Sequence, residues 1–471
     1  MPLHANPAIH FRTMSVAPAT LSSAKPADPY LLTPDGIEEP PLGFAATFRK
    51  IGPGMILAAS IVGSGELIAT TTLGAQAGFV ALWIILFSCF IKPIVQAELG
   101  RYVISTGKTG LEAFDQVPGP RFKVNWIVWI WAFMVLMTQF QVGAMFGGVA
   151  QVLHSLMPVL SVNLWVLPVV AISLALLLGG GYRRIESIAM IKVGFFTMLT
   201  VLSAAMVMKA PEFNWGQMLD GLWPTIPAGG WVTAVAVFGM TGVGASEIFM
   251  YPYWCVEKGY ARFTGPRDGT PFWNQRALGW IRVMHVDVLF SMIVYTVATC
   301  AFYVLGAGVL HPKGVVPDAG TMIATLSELY TSTLGEWALV LFYIGAVATL
   351  YGTIFAATAA HSRIYSDMVQ MMGGFNRGDT AARNRWRDRF VVIITAIPVL
   401  LFYVFKNPVS MVVAGGLAQA LTLPVICFGV LYLRHRRQPR ETAPGWWNTT
   451  WLWIAGLLIT ALMTVYVVGE F

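Results

Sequence analysis

Long hydrophobic runs alternate with short polar connections along almost the whole chain after residue 45. A run of about 20 apolar residues is long enough to cross a bilayer as a helix. Eleven such spans, numbered here in chain order, are predicted at 52–76, 79–103, 124–155, 163–181, 184–209, 230–257, 281–307, 331–362, 387–406, 408–433 and 446–468. The pattern predicts an all-α polytopic membrane protein with about 11 transmembrane helices.

The order of the spans predicts a repeated architecture. Residues 1–45 are rich in Pro, Ala and Ser and are expected to form a disordered cytoplasmic tail. Five spans at 46–209 are matched by five at 210–434, and residues 435–471 add a loop and an eleventh helix. An odd number of spans in each repeat gives the repeats opposite orientations, as in the inverted repeats of transporters.

Two acidic motifs interrupt hydrophobic spans. Gly63-Ser64-Gly65-Glu66 lies in the first span, and Gly244-Ala245-Ser246-Glu247 lies in the sixth. A carboxylate at membrane depth is costly and indicates a functional site, and the neighbouring small residues favour a broken helix. These eight residues are the predicted substrate site, with Glu66 and Glu247 as candidate metal ligands. The alternative is that each glutamate only caps a helix fragment.

Charge changes the picture in two ways. Only 11% of residues are charged, against roughly 25% in a soluble domain. The net charge of +7 comes from connections after even-numbered spans, such as the one carrying Arg383, Arg385, Arg387 and Arg389. Since basic loops stay in the cytoplasm, we predict a cytoplasmic N-terminus and an outside C-terminus, with no role for nucleic acid. No targeting signal is evident, which favours a bacterial inner membrane.

Catalytic chemistry is not indicated. The four cysteines, Cys89, Cys255, Cys300 and Cys427, are widely spaced within or beside apolar spans. They are expected to be small buried side chains rather than disulfides, and only Cys255, near the second motif, is a candidate soft ligand. No resident cofactor and no enzymatic activity are expected.

The beginning of the membrane region resembles the Nramp family of proton-coupled divalent-metal transporters. The resemblance rests on Gly52-Pro53-Gly54, the first acidic motif, Gly74-Ala75-Gln76-Ala77-Gly78, and Gln96 in the second span. It implies a LeuT-type fold of two inverted five-helix repeats with broken first and sixth helices. It also implies secondary active transport of a divalent metal cation, coupled to protons by alternating access.

The motifs depart from the family pattern at its metal ligands. The family reads Asp-Pro-Gly-Asn where this chain has Gly63 to Glu66, so the aspartate is lost and an acid replaces asparagine. In the sixth span the family's methionine falls on Ile248 and the histidine is missing. Met250 is nearby but out of register, and it is a further candidate substrate-binding residue. Carboxylates, carbonyls and the Ser64 or Ser246 hydroxyl form a hard ligand set that favours Mg, Ca or Mn.

Two lysines in predicted spans support a different substrate. Lys92 lies in the second span and Lys192 in the fifth. Either one facing the core needs an acidic partner, and the candidates are Glu66, Glu247, Glu98 and Glu186. Such a pair opposes a divalent cation and suits an organic amine, an amino acid or a proton relay. Both lysines also have the simpler alternative of reaching the headgroups.

Other polar residues inside spans are weaker candidates. His285 and Asp287 in the seventh span point to different helix faces, so one is a candidate proton carrier, and bonding to neighbouring backbone is the alternative. Gln419 follows Gly415-Gly416 in the tenth span and is a candidate site residue. Pro271 to Trp280 is expected as an interfacial helix or a plain loop.

The leading function is therefore a proton-coupled secondary transporter of a cation, most simply a divalent metal. The first alternative is proton-coupled transport of an organic amine or amino acid on the same fold. A channel or a transporter-derived sensor is the alternative of another class. The expected partners are the transported ion or small molecule and the lipid bilayer; a monomer is plausible and the oligomeric state stays open.

Overall fold

A computed structural model describes residues 28–178 and 182–469, and for residues 182–193 and 195 it gives the backbone alone. In these residues, eight helices are long and apolar enough to cross a membrane, and the bent pair Pro53–Ile61 and Gly65–Ala77 makes a ninth span. Two shorter apolar helices, Val162–Leu177 and Phe196–Lys209, fall in the fourth and fifth predicted spans. The all-α polytopic architecture is confirmed.

Each predicted span corresponds to a helix or a helix pair. In chain order they are Pro53–Ile61 with the π-helix Gly65–Thr70 and Thr71–Ala77, Leu82–Thr106, Trp126–Leu156, Val162–Leu177, Tyr182–Lys209, Trp231–Met240 with Ala245–Lys258, Pro271–Leu305 with the π-helix Gly306–Leu310, Ala338–Met371, Thr380–Phe405, Pro408–Arg436 and Trp446–Gly469. Shorter helices precede and connect these spans. They are Pro34–Gly36, Phe44–Phe48, Gly110–Phe114, Trp215–Asp220, Tyr260–Thr264, His311–Lys313, Met322–Leu334 and Arg440–Thr442. Strands Arg121–Phe122 and Val124–Asn125 form a small antiparallel hairpin.

The first and sixth spans are broken where the glycine-containing motifs predicted it. The two halves of the first span meet at an angle of 41°. In the sixth span the first half ends at Met240, and Gly242 then adopts a φ of +64°, in the left-handed region that favours glycine. The second half begins after Gly244, which has extended backbone. Both breaks leave backbone groups without an intrahelical partner.

Close backbone contacts hold the sixth span against the tenth. A Cβ on Gly239 would lie 2.2 Å from the Gly416 carbonyl oxygen, and a Cβ on Gly416 would lie 2.6 Å from the Ala236 carbonyl oxygen. The third span packs along the other side of the tenth, and the eleventh packs on its outside. Small residues let these helix backbones touch, as membrane helix interfaces require.

Several predicted boundaries are wrong, and the ninth helix, for example, begins at Thr380 rather than at residue 387. The eighth span was predicted to begin at residue 331, but Gly335, with a φ of +93°, ends the helix Met322–Leu334, and a new helix begins at Ala338. Pro271 to Trp280 is neither an interfacial helix nor a loop. It is the start of the seventh helix, because Pro271 suits the first helical position and the Thr270 hydroxyl accepts a hydrogen bond from the Trp273 amide.

Residues 28–45, which the sequence assigns to the tail, pack against one end of the helix bundle. This end carries Arg363, Arg377 and Arg383 and is called the Arg-rich end below. The Tyr30 hydroxyl donates to Glu257 at 3.1 Å, and the Arg383 guanidinium lies 4.1 Å from the Tyr30 ring centroid. The Trp280 indole donates to the Glu38 carbonyl oxygen at 2.8 Å. This N-terminal segment therefore contacts the sixth, seventh and ninth spans. Residues 1–27 lie outside the described residues.

Candidate functional site

The two helix breaks lie next to each other in the core. The Thr70 and Thr241 hydroxyls are 3.2 Å apart, which joins the second half of the first span to the interruption of the sixth. The Ser60 hydroxyl donates to Glu247 Oε1 at 3.3 Å, which joins the first half of the first span to the second half of the sixth. The predicted motifs are thus brought together.

Glu66 is fully buried at the start of the π-helix Gly65–Thr70. Its Oε2 accepts a hydrogen bond from the Gly63 amide at 3.3 Å, and its Oε1 accepts one from the Thr299 hydroxyl of the seventh span, also at 3.3 Å. The bond from the Gly63 amide is that of a helix cap, whereas the bond from the Thr299 hydroxyl comes from a different span. Glu66 therefore caps the break and also turns its other oxygen towards the neighbouring span.

Glu247 is the less satisfied of the two acids. It is 9% exposed, and its Oε2 accepts no hydrogen bond from any described residue. A Cβ added to Gly244 would lie 2.4 Å from this oxygen and 2.6 Å from Gln419 Oε1. The glycine therefore leaves the space into which the free oxygen points. A buried, unpaired carboxylate oxygen is expensive, so it indicates a place for a proton or a cation.

Neutral polar groups line both breaks. Gln419 Oε1 accepts from the Ser246 amide at 3.1 Å, and Gln419 Nε2 donates to Gln141 Oε1 at 3.1 Å. Gln141 Nε2 in turn donates to the Ser64 hydroxyl at 3.2 Å. This chain of hydrogen bonds runs from the sixth span through the tenth and third to the first. It fixes the predicted residues Ser64, Ser246 and Gln419 around one centre.

The eighth span adds two groups to this centre. The Thr353 hydroxyl donates to the Ser60 carbonyl oxygen at 3.2 Å, just before the first break. His361 Nε2 lies 2.9 Å from the Ser246 hydroxyl, and its Nδ1 has no described partner. His361 is 1% exposed within Ala338–Met371, and this helix continues nine residues beyond the predicted end of the eighth span at residue 362.

Lys92 is fully buried beside the sixth-span break, so the expectation that it reaches the headgroups is wrong. Its ammonium donates to the carbonyl oxygens of Phe238 and Thr241, at the open end of the helix Trp231–Met240. In the described part of the chain it has no carboxylate partner within salt-bridge distance. Glu98, a proposed partner, pairs instead with Arg101 at 3.1 Å.

Several predicted residues lie away from the breaks. His285 bonds Arg101 at 3.2 Å, and Asp287 accepts from the amides of Gly52 and Gly54, so both have structural partners at the Arg-rich end. Met250 is buried one helical turn beyond Glu247. The side chains of Lys192 and Glu186 lie outside the described residues.

Gly65 and Ala245, by contrast, lie at the breaks: they are buried at the start of the second halves of the two broken spans.

Sequence reasoning missed the contributions of Ser60, Thr299, Thr353 and Met240. Met240 Sδ lies 3.8 Å from Gln141 Nε2, so it reaches the site from the first half of the sixth span. Hydroxyls and methionines are common in membrane helices and carry no signal of their own. A usable signal existed for Met240 alone, because it directly precedes the Thr241-Gly242 interruption.

The arrangement suits a positively charged cargo held by oxygen atoms. Among the described residues, two carboxylates, seven hydroxyls and two side-chain amides surround the breaks. In the described residues, however, no three His, Cys, Asp or Glu side chains come together as a metal-ligand group. A cavity of about 790 Å³ lies away from this centre: its lining includes Gly78, Asp220 and His311, but neither Glu66 nor Glu247.

Comparisons with known proteins agree with this architecture. Residues 54–469 match the profile of the family described as natural resistance-associated macrophage protein-like. The chain is similar to an uncharacterized protein of Pasteurella multocida, with 23% identity covering 90% of this chain and 92% of the relative. It is also similar to the divalent metal cation transporter MntH of Bacillus subtilis, with 23% identity covering 91% and 94%.

A solved structure shows the same fold. The crystal structure of a manganese transporter from Eremococcus coleocola superposes with a TM-score of 0.66 at 16% identity, covering 90% of this chain and 88% of the other. Both the fold and the broken first and sixth helices are therefore those of the LeuT-type architecture that the sequence predicted. The family consists of membrane transporters rather than enzymes. The chain is a multi-pass membrane protein that belongs to the natural resistance-associated macrophage protein (Nramp) family.

Proposed function

We propose that the chain is a secondary active transporter that moves a divalent metal cation across the membrane, coupled to protons by alternating access. The observation that carries this proposal is the pair of buried carboxylates at the two helix breaks, with Glu247 Oε2 left without a partner. Relatives whose names state divalent-metal transport support it. The oxygen-rich surroundings favour a hard cation such as Mg, Ca or Mn.

Proton coupling follows from the electrostatics of two enclosed acids. Glu66 and Glu247 lie in one core and cannot both stay ionised without a positive charge between them. With no cargo present, protons supply the positive charge that the Lys92 ammonium does not, and an arriving cation releases them. The two repeats, residues 46–209 and 210–434, are the units whose relative motion would expose the site first on one side and then on the other.

The test is metal binding and uptake by variants of the two acids. Glu66→Gln and Glu247→Gln keep the size of each side chain and remove its charge. We expect each to weaken Mn²⁺ binding by at least tenfold in calorimetry and to abolish metal uptake into proteoliposomes driven by a pH gradient. Glu328→Gln is the control, because Glu328 is a half-exposed surface acid paired with Lys313. Unchanged uptake by both site variants would refute the proposal.

A second candidate function is transport of an organic amine or amino acid. It is favoured by the buried ammonium of Lys92 and by the lack, in the described residues, of three metal-ligating acidic, histidine or cysteine side chains in one group. An organic ammonium needs hydrogen-bond acceptors, which Gln141 and Gln419 supply, rather than a full coordination shell. Competition decides: displacement of bound Mn²⁺ by simple amines, with their uptake, would favour this candidate.

We also propose that the Arg-rich end faces the cytoplasm of a bacterium, with the C-terminus outside. The connections at this end carry most of the basic residues, including Arg377, Arg383 and Arg387. The N-terminal segment packs at the same end, which supports the proposal that both lie on one side of the membrane. Reporter fusions at residues 1 and 471 test this, and equal reporter activity at the two positions would contradict it.

A further inference from the structure

Two side chains of the second span bond the same two carbonyl oxygens. Ser88 and Lys92 are four residues apart, so they lie on one face of the helix Leu82–Thr106. The Ser88 hydroxyl donates to Phe238 O at 3.2 Å and to Thr241 O at 2.7 Å. The Lys92 ammonium donates to the same atoms. One neutral donor and one charged donor therefore close the open end of the first half of the sixth span.

A cap for these carbonyls does not require a charge. The C-terminal end of a helix favours a positive group, but a hydroxyl or amide also satisfies its free carbonyls. An ammonium with no exposure to solvent is costly to bury, and here it has no carboxylate in contact among the described residues. Its nitrogen also lies 5.0 Å from the centroid of the Phe238 ring, which contributes a further favourable contact.

The charge of Lys92 acts on the site. Its ammonium bonds the Thr241 carbonyl oxygen, and the hydroxyl of Thr241 lies 3.2 Å from that of Thr70, in the π-helix that also carries Glu66. With both glutamates ionised and Lys92 charged, the centre carries one net negative charge. One singly charged cargo balances this centre, whereas a divalent cation leaves it with an excess positive charge in a medium that screens poorly.

We propose that Lys92 is a specificity-determining residue that weakens the binding of doubly charged cargo. It acts as a positive charge tethered at the sixth-span break, and this inference rests on the proposed transport of a cation through the same site. The consequence is a site that holds a divalent cation loosely and releases it readily. Removing the charge while keeping the cap converts the site into a tighter one for divalent metals.

The experiment compares Mn²⁺ binding to the full-length purified protein and three variants. Lys92→Gln keeps a donor for the carbonyls and removes the charge, and Lys92→Met is a second neutral variant of similar length. Ser88→Ala is the matched control, since it removes a neutral donor from the same two carbonyl oxygens. Calorimetric titration with Mn²⁺ gives each dissociation constant, and monodispersity on gel filtration verifies that each variant is folded.

We expect the neutral Lys92 variants to bind Mn²⁺ about tenfold more tightly or better, because the repulsion grows with the charge of the ion. Ser88→Ala should stay within about twofold of the unmodified protein, because the cap alone does not set the affinity for charge. A merely structural lysine would give weaker binding when replaced, never tighter binding.

The outcomes separate this inference from the function on which it rests. Equal or weaker Mn²⁺ binding by the neutral Lys92 variants, with binding by the unmodified protein intact, would overturn the role of Lys92 alone. Equal tightening by Ser88→Ala would also overturn it, since the effect would then come from loosening the cap. No Mn²⁺ binding by any of the four proteins would overturn the divalent-metal proposal itself.

Discussion

Replacement of Asp287 by alanine should destabilise the protein severely. The Asp287 carboxylate is fully buried and accepts hydrogen bonds from the Gly52 amide at 2.9 Å, the Gly54 amide at 2.6 Å and the Tyr251 hydroxyl at 3.0 Å. These amides belong to the buried start of the first span, where no intrahelical acceptor exists. Asp287→Ala leaves the two amides without a partner, and it leaves the Tyr251 hydroxyl only the Met284 carbonyl oxygen, at 3.5 Å.

The magnitude follows from counting these donors. Each buried donor without a partner costs about 1–3 kcal/mol, so the loss of both amide bonds, with the weaker bond left to Tyr251, costs about 3 kcal/mol. If half of this loss falls on the barrier to unfolding, the unfolding rate rises about tenfold, since about 1.4 kcal/mol corresponds to a factor of ten. Asp287→Asn keeps one acceptor oxygen, so its unfolding rate should lie between those of Asp287→Ala and the unmodified protein.

The assay is the half-life of the detergent-solubilised protein at a fixed elevated temperature, followed by loss of the monodisperse peak. Ser291→Ala is the control, because the Ser291 hydroxyl donates to Val288 O within its own helix and makes no hydrogen bond to another span in the described residues. A half-life of Asp287→Ala equal to that of Ser291→Ala would refute the reasoning. A proton-carrier role for Asp287 predicts something different: lost transport with normal stability.

Three further changes have directions fixed by the structure. Gly306→Ala should cost about 2 kcal/mol of stability, since its Cβ would lie 2.3 Å from the Thr71 carbonyl oxygen and backbone must move; a lower thermal midpoint checks this. Gly63→Ala should lower cation uptake, because its Cβ would lie 2.0 Å from Thr353 Oγ1, and Gly63→Ala with Thr353→Ala should restore part of it. Burial raises the pKa of Glu112 above its ordinary value of 4.5. Its contribution to stability is therefore present below pH 4.5 and is lost as the pH rises through the raised pKa. Glu112→Gln should remove this loss from thermal midpoints measured as a function of pH.

Each of these has a contradicting result. Gly378 has open space around it, so Gly378→Ala sets the baseline for glycine replacement, and a Gly306 variant as stable as this one would disprove the close contact. No recovery in the double variant would show that the Thr353 contact is not the cause. For Glu112, Gln also completes the capping box with Thr109, so a profile parallel to the unmodified protein at every pH would contradict the burial effect.

The spans and the two helix breaks were predictable because they depend on local sequence. Apolar runs give the spans, and glycines beside a buried acid give the interruptions at 62–64 and 241–244. The approach of Glu66 and Glu247 to one centre also followed, once a repeat with corresponding breaks was assumed. Local patterns do not give the limits of helices that end on a left-handed glycine, which is why the eighth span began later than predicted.

The partners of the site residues were not predictable, since they come from helices far away in the sequence. Lys92 shows the reason. The sequence suggested an acidic partner, because acids are the usual companions of a buried lysine. Its actual partners are backbone carbonyls that exist as free acceptors only because the sixth helix stops at Met240. A side chain's need for a charge partner can thus be altered by a break in another helix.

The N-terminal segment has a consequence for how the protein is handled and how it moves. Asp28 accepts a hydrogen bond from Thr380 at 2.9 Å, and Tyr30 lies between Glu257 of the sixth span and Arg383 of the ninth. A strap across spans from different parts of the bundle adds a free-energy cost to any rearrangement that separates them at this end. Trimming the chain to residue 46 would therefore shift its conformational equilibrium towards opening there, and an affinity tag is best joined ahead of residue 28.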